Sequence, residues 1–551
     1  SIFLQNCSPI LEAQAKQLKM RYRYLYYILL LIPAFLFRDY TPTNELKYIS
    51  IVDEALKNGT WFTFYNHGAV YADKPPLFFW LIMLIKLITG TYNMWLIGLF
   101  SLLPTIGIMA VMDRWVRKEG IASNPLVSNV LLLTTGMFLG SALVVRMDML
   151  MTFFIVVSLY IFWTIYKNDE HARIGRYVLP VFIFLALFTK GPIGLLIPVV
   201  SIISFLVLKK QIRTIGRYLG WQQWTILAGL CALWFALIYV EGGRDYLYNI
   251  LFKQTIGRGV NSFHHKEPFW FYMPRMLWSF APWSLLYVVL LWKGIQQKTI
   301  NDDLKKFFLI VISTSLILLS AISSKLDIYL LPEYPFIVYL CSIILMDNLN
   351  NKFVKMAITV PALLFALILP AIIVFSHKIF AILNNPILLL AACTMLTFGG
   401  VVAIILLHKK QTLRAICVIS FAIIGLVFIG SFIIPSVNKY IGFREMASSA
   451  LVLAKKKKVV HYACYKFNTA SNMDVYLNSE LQQTETVSQL DSMAHHWNKT
   501  ILFVRKKELL HDEELIKWIG RYSPVGKTGE YSWYLIEHKN SNSLVRLEKK
   551  M

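Results

Sequence analysis

Long apolar stretches, separated by short polar connections, run from Tyr24 to Ile434. They cover 24–38, 76–90, 95–113, 125–144, 149–166, 177–189, 191–208, 222–240, 276–292, 307–323, 328–346, 354–376, 386–407 and 412–434. Many approach the ~20 helical residues that cross a bilayer core of about 30 Å. The pattern predicts an all-α polytopic membrane protein with about 13 transmembrane helices over residues 24–435, the segments within 76–113 making one net crossing. Two polar interruptions are too rich in charge to be plain connectors, 40–75 and 241–273. After Pro435 the pattern changes to short alternating runs, Val459–Tyr462, Thr500–Val504 and Trp533–Ile536, with helical stretches between them. Residues 436–551 therefore read as a soluble α/β domain, large enough for its own small core.

Composition supports the membrane reading. The chain has 551 residues, of which 57% are hydrophobic and only 16% charged, against roughly a quarter charged in soluble domains. The net charge of +24 does not point to nucleic acid, because most Lys and Arg lie in short loops between apolar runs. Basic loops stay cytoplasmic. Arg21 and Arg23 place the segment 1–23 inside, Arg114, Arg117, Lys118 and the loops 167–176 and 209–217 inside, and 40–75 and 436–551 outside. Six scattered cysteines without Cys-x-x-Cys spacing imply neither a disulfide framework nor a metal site. No cofactor is required by the residues; a divalent metal is chemically conceivable but has no ligand spacing behind it.

On that orientation the charged oddities collect on the outer face, and ionisable groups at membrane segments are functional candidates by default. Tyr71-Ala-Asp73-Lys74-Pro-Pro offers a carboxylate beside an ammonium; an interfacial ion pair at a helix start is the simpler alternative. Asn44 precedes Glu45, Lys47 and Tyr48, and a helix cap with an acid in its first turn explains that spacing equally well. Arg146-Met-Asp148 is either a self-paired boundary or part of the site. Lys190-Gly-Pro192 breaks a long apolar run, and broken membrane helices are tolerated where they line a cavity or are buried in protein. Lys190 is therefore a candidate phosphate contact. The 241–273 interruption adds Arg258, His264 and His265, and Ser323–Pro332 adds Lys325, Asp327 and Tyr329. Many cationic donors with a few carboxylates suit transfer of a group from a lipid phosphate to an acceptor hydroxyl, the cations holding the leaving group and a carboxylate taking the proton.

At these residues the chain resembles the aminoarabinose transferase and protein O-mannosyltransferase superfamily of lipid-linked-sugar glycosyltransferases, which have the GT-C fold. The resemblance rests on Asn44-Glu45-Leu-Lys47-Tyr48, Tyr71-Ala-Asp73-Lys74-Pro-Pro, Arg146-Met-Asp148, Thr189-Lys-Gly-Pro192, Arg258 with His265-Lys-Glu-Pro-Phe-Trp-Phe-Tyr272 and Pro282-Trp283, and Ser324-Lys325-Leu-Asp-Ile-Tyr329-Leu-Leu-Pro332. The motifs run in the family's order from about Tyr40 to Pro335.

The resemblance implies a sugar, aminoarabinose-like or a hexose, moved from undecaprenyl phosphate to a lipid A, glycolipid or protein acceptor at the periplasmic face of a bacterial inner membrane. It implies acceptor activation and catalysis by Asp73, Glu45 and Asp148, and phosphate or sugar contacts from Lys74, Tyr48, Tyr71, Lys47, Arg146, Lys190, Arg258, His265, Lys325 and Tyr329. A monomer among membrane lipids is expected. The chain departs from the family at Asn44 (an acid there), Lys47 (an Arg), Asp73 (a Glu) and Asp327 (a Pro). Asn44 cannot act as a base, so that role falls to Glu45 or Asp73, or the acceptor is not lipid A. A flippase for the same lipids would instead spread its charges through midplane segments and show an internal repeat; a protein O-mannosyltransferase would keep the chemistry and change the acceptor.

Overall fold

The structure, a computed structural model, describes residues 22–252, 267–380 and 386–537. The chain forms two compact units. The larger comprises the described residues up to Phe37, Trp61–Thr63 and Tyr71–Ile433. Among the described residues nine helices are long and apolar enough to cross a membrane, or eleven if each of two bent pairs is one span. This is a multi-pass membrane protein. Three further apolar helices are shorter, Tyr22–Leu36, Leu77–Thr89 and Ile193–Leu208. At 1.5 Å per residue, the 13 residues of Leu77–Thr89 reach only about 20 Å, too little to cross alone.

Burial separates the helices by role. Asp327–Met346 is central, with 94% of its apolar window buried, whereas Trp221–Phe252 has 17% buried and presents its side chains outward. An outward apolar surface of that size is stable only against lipid or another protein.

The two bent pairs explain how broken helices survive here. Pro125–Leu133 meets Gly136–Ala142 at 77°, and Tyr272–Ser279 meets Ser284–Gln296 at 115°. Each break satisfies the other: the Gly136 amide donates to the Ala281 carbonyl at 2.8 Å, the Trp283 indole to Thr134 Oγ1 at 2.9 Å, and Thr135 and Tyr287 hydroxyls meet at 2.8 Å. Freed backbone groups thus find partners away from lipid. A Cβ at Gly136 would stand 3.0 Å from that carbonyl, so glycine is what lets the breaks approach. A second polar knot joins the first helix to the bundle. Buried Asp113 accepts from Arg23 (2.9 Å), Tyr24 (2.6 Å), Asn129 (3.0 Å) and Tyr339 (2.7 Å).

The smaller unit comprises Arg38–Thr60, Phe64–Val70 and the described residues from Ile434 on. The stretch 40–75 is therefore not one loop. Glu45–Asn58 is a helix whose Leu46, Ile49, Val52 and Ala55 are buried, an apolar stripe at helical spacing among flanking charges. A short hairpin of β1 (Tyr65–Asn66) and β2 (Ala69–Val70) follows. The rest is a five-stranded sheet in the order β4-β3-β5-β7-β6, with β3 (His461–Tyr465), β4 (Leu481–Thr484), β5 (Lys499–Arg505), β6 (Pro524–Thr528) and β7 (Tyr531–Glu537). The pairs β3/β4 and β3/β5 are parallel, β5/β7 and β6/β7 antiparallel. Its core includes Tyr465, Leu490, Leu502, Leu515, Trp518 and Ile536. The pattern of apolar runs finds β3, β5 and β7. It misses β4 and β6, which are short, polar edge strands with no apolar alternation to betray them.

Candidate functional site

The larger unit gathers its predicted residues around one carboxylate. Asp148 opens the helix Asp148–Tyr166 and is 1% exposed. Arg146 Nε donates to its Oδ2 at 3.1 Å, and the Lys190 ammonium contacts its Oδ1. The charge of Lys74 also acts on it. The Lys190 ammonium in turn lies 4.6 Å from the centre of the Tyr329 ring, a cation–π distance. Two motifs, at 146–148 and 190, thus meet at one buried carboxylate, with Tyr329 against the lysine.

Local sequence sets where each of these side chains stands on its own element. Gly191 adopts φ +111°, which ends the helix Ala172–Lys190 and leaves Lys190 as its last residue. The return helix packs so closely that a Cβ on Gly194 would run into the Ala186 carbonyl group. Arg146 lies in the turn before Asp148, held by Ser101, whose hydroxyl donates to the Val144 carbonyl at 2.6 Å and accepts the Arg146 amide at 3.4 Å. Pro75 and Pro76 then launch Leu77–Thr89 directly after Asp73 and Lys74, both half-buried. The Tyr71 carbonyl accepts from the buried Tyr246 hydroxyl at 3.1 Å, and its ring packs edge-on against Phe79 at 6.2 Å.

Lys325 is engaged differently. Its ammonium donates to the backbone carbonyls of Glu267 (3.0 Å) and Ile322 (2.6 Å), which ties the segments around 267 and 322 together. Asp327 is balanced by Arg275 at 2.9 Å, a partner that the sequence motif does not contain. Glu241 also escapes sequence reading. Its carboxylate accepts the amides of Trp61 (2.7 Å), Phe62 (2.7 Å) and Thr63 (2.6 Å), fixing the start of the segment that leads to Tyr71. Only its place at the edge of the second polar interruption signals it, and the interruption opens not as a loop but as the continuation of the helix Trp221–Tyr248.

The remaining predicted residues lie in the smaller unit or outside the described residues. Glu45 is 1% exposed and accepts both guanidinium nitrogens of Arg38 (2.7 and 2.6 Å) and the Thr41 amide and hydroxyl (2.8 and 2.9 Å). Asn44 stands at the N-cap without a side-chain capping bond; Glu45 binds the preceding turn instead. A general base needs a lone pair aimed at the acceptor, and the oxygens of Glu45 are turned to Arg38 and Thr41. This differs from the expectation that Glu45 activates an acceptor. Tyr48 is buried in the core of its helix and Lys47 lines a cleft of the same unit. Arg258 and His265 lie outside the described residues. Among the described residues no three His, Cys, Asp or Glu side chains converge as metal ligands. What the larger unit offers chemically is a pair of cations, Arg146 and Lys190, held in place by one buried carboxylate.

The profile of the Dolichyl-phosphate-mannose-protein mannosyltransferase family matches residues 23–242, under half of the chain. A crystal structure of ArnT from Cupriavidus metallidurans, bound to undecaprenyl phosphate, superposes with a TM-score of 0.74 at 16% identity, over 95% of this chain and 98% of that one. In fold this chain is similar to ArnT. An undecaprenyl phosphate-alpha-4-amino-4-deoxy-L-arabinose arabinosyl transferase of Pseudomonas savastanoi pv. phaseolicola is 27% identical over 64% of this ArnT-like chain and 67% of its own length. An uncharacterized protein of Aquifex aeolicus is 25% identical over 79% and 84%. Several other arabinosyl transferases align with this chain over only about half of their own length. The fold read from the motif order, a GT-C membrane domain with a small sheet-containing unit, is the fold found.

Proposed function

We propose that this ArnT-like chain is a glycosyltransferase that moves a sugar from undecaprenyl phosphate to an acceptor hydroxyl. The observation that carries the reading is the pairing of Arg146 and Lys190 with one buried carboxylate, Asp148, the lysine lying beside the ring of Tyr329. In the reaction the bond between the sugar's anomeric carbon and the phosphate oxygen breaks, and a bond from that carbon to the acceptor oxygen forms. Undecaprenyl phosphate leaves with the electron pair. Lys74, Arg146 and Lys190 meet its negative charge; preset cations of this kind stabilise a developing charge without reorganising. The leaving group is already an anion, so no second carboxyl is required as an acid.

Asp73, half-buried beside Lys74, takes the acceptor proton. Asp148 positions Arg146 and Lys190 and keeps their charges affordable in a buried site. Tyr71 and Tyr329 shape the site, Arg258 and His265 add phosphate contacts, and Lys325 acts by holding the segments around 267 and 322 together. Glu45 acts through the fold of its helix. Lys47 and Tyr48, beside it, belong to that helix.

The sugar is aminoarabinose-like or a hexose, and lipid A or another glycolipid is the acceptor. The site faces the periplasm from the inner membrane, on a body of thirteen crossings acting as a monomer, with residues 436–551 on the same side. Basic loops between the apolar helices support that orientation. The test is transfer in proteoliposomes from undecaprenyl phosphate carrying a radiolabelled 4-amino-4-deoxy-L-arabinose to co-reconstituted lipid A. Label on the lipid A supports the reading. Flipping of the labelled donor across the bilayer without cleavage, for the same sample, refutes it in favour of a transporter.

A further inference from the structure

The smaller unit holds a cleft that the transfer chemistry leaves unused. Its volume is about 680 Å³, within the range of small-molecule sites. Its wall carries the amides of Asn66, Asn468, Asn472 and Gln483 and the hydroxyls of Thr43 and Thr469. The charged groups are few and mixed: Lys47 and Glu480, with the imidazole of His67. A second cavity of about 280 Å³ shares His67 and Glu480.

The wall is fixed rather than loose. His67 and Gly68 form the tip of the hairpin with φ +54° and +75°, and a non-glycine residue in the left-handed region is a strained choice. Glu54 locks that tip by accepting both amides, at 2.7 and 2.9 Å. The His67 ring is oriented from both sides, Nε2 at 3.3 Å from Asn472 Oδ1 and Nδ1 at 3.6 Å from Asp474, which Ser50 holds at 2.9 Å. Asn472 is itself buried and donates to the Pro42 carbonyl at 3.0 Å. The Nδ2 of Asn66 is buried with no hydrogen-bond partner among the described residues, the kind of donor that a bound group satisfies.

We propose that this cleft binds the sugar headgroup of an acceptor glycolipid. The choice of headgroup rests on the transferase reading; the choice of a saccharide rests on the wall. Each amide offers both a donor and an acceptor, and each sugar hydroxyl needs both. One lysine opposed by one glutamate is the wrong charge for a phosphate, which the cations of the larger unit suit better. Side-chain pockets for a peptide would be apolar, and this wall carries only Ala69 and Leu481 of that kind.

The test uses the full chain in lipid nanodiscs, without donor, titrated with N-acetylated β-1,6-linked glucosamine disaccharide and followed by ligand-observed NMR. A serine-rich decapeptide is the second arm. Saturable disaccharide binding is expected, lost in Ala69→Trp, which fills the cleft from an exposed hairpin position, and weakened about fivefold in Gln483→Ala, the loss of one neutral hydrogen bond. Circular dichroism and elution volume check that both variants fold. No disaccharide binding, binding unchanged in folded Ala69→Trp, or binding of the peptide alone overturns the proposal. Because the titration contains no donor, it separates from the transfer assay. Transfer without disaccharide binding sinks the cleft alone, whereas binding without transfer leaves a saccharide cleft standing and removes the transferase reading together with the cleft's role toward an acceptor.

Discussion

Replacing Lys190 by methionine tests the centre of the site. The lysine side chain is 6% exposed and its counter-ion Asp148 only 1%, so neither charge is screened by bulk water. A charge-assisted hydrogen bond to a phosphate contributes about 1.5–3 kcal/mol, which corresponds to roughly 10- to 150-fold in affinity or rate. Lys190→Met is therefore expected to lower transfer by that factor and to reduce the thermal stabilisation that undecaprenyl phosphate confers on the purified protein. Removing one partner of a buried pair also leaves the other uncompensated, at about 3–5 kcal/mol. Here Arg146 remains on Asp148 at 3.1 Å, so the loss in the ligand-free protein falls toward the lower end. The double variant Asp148→Ala/Lys190→Met removes the buried pair and leaves only the partly exposed Arg146, so it is expected to be more stable than Asp148→Ala alone while staying inactive. The measurements are melting in detergent with and without undecaprenyl phosphate, and initial rates of transfer. If Lys190→Met melts lower yet is stabilised by undecaprenyl phosphate as strongly as the wild type, and transfers at the wild-type rate, Lys190 is a structural partner of Asp148 and the assignment of the phosphate site fails.

Three further outcomes separate the carboxylates by role. Asp73→Asn keeps shape and removes the base, so transfer is expected to drop ~10²- to 10⁴-fold with melting unchanged; wild-type rates in this variant would exclude Asp73 as the proton acceptor. Glu45→Ala strips four accepted hydrogen bonds and takes the Glu45 carboxylate from the Arg38 guanidinium, 12% exposed, at up to about 3–5 kcal/mol, so its signature is a large fall in melting temperature with the rate per folded molecule largely retained. Asp512 caps the helix Glu513–Ile519 through the Leu515 amide at 3.1 Å and binds Lys466 at 2.7 Å; the Lys466 ammonium, then the Leu515 amide, hold its pKa down at about 2. A depressed folded pKa means stability that is present above the unfolded carboxyl value near 4 and lost as pH falls from there toward 2. Asp512 is half-buried but its partner Lys466 is 40% exposed, so the effect is small, about 0.5–1 kcal/mol; Asp512→Ala should remove it at pH 7 and change little at pH 2, as read by melting of the intact protein.

Much of this protein is legible along the chain. Apolar stretches near 20 residues depend on bilayer thickness alone, so the helical body and the change of character after Pro435 follow from one dimension of pattern. The motifs at Asp73-Lys74, Arg146-Met-Asp148, Lys190-Gly-Pro and Lys325 to Tyr329 could be picked out because charge beside a membrane segment is costly and rarely accidental. What one dimension could not hold was which charges face each other. Asp148 reads as the partner of Arg146 two residues away, and only packing brings Lys190 and Lys74 to it. Glu45 and Asp73 look equivalent as carboxylates in one polar stretch. The fold divides them, closing Arg38 and Thr41 around Glu45 in the smaller unit and placing Asp73, half-buried beside Lys74, in the larger. Other charge partners, Arg275 for Asp327 and Glu241 for the amides of Trp61 to Thr63, come from positions up to 180 residues away. Hydrophobic length is a local property and is written in the sequence; the environment of a charge is a sum over neighbours, and only the tertiary structure supplies them.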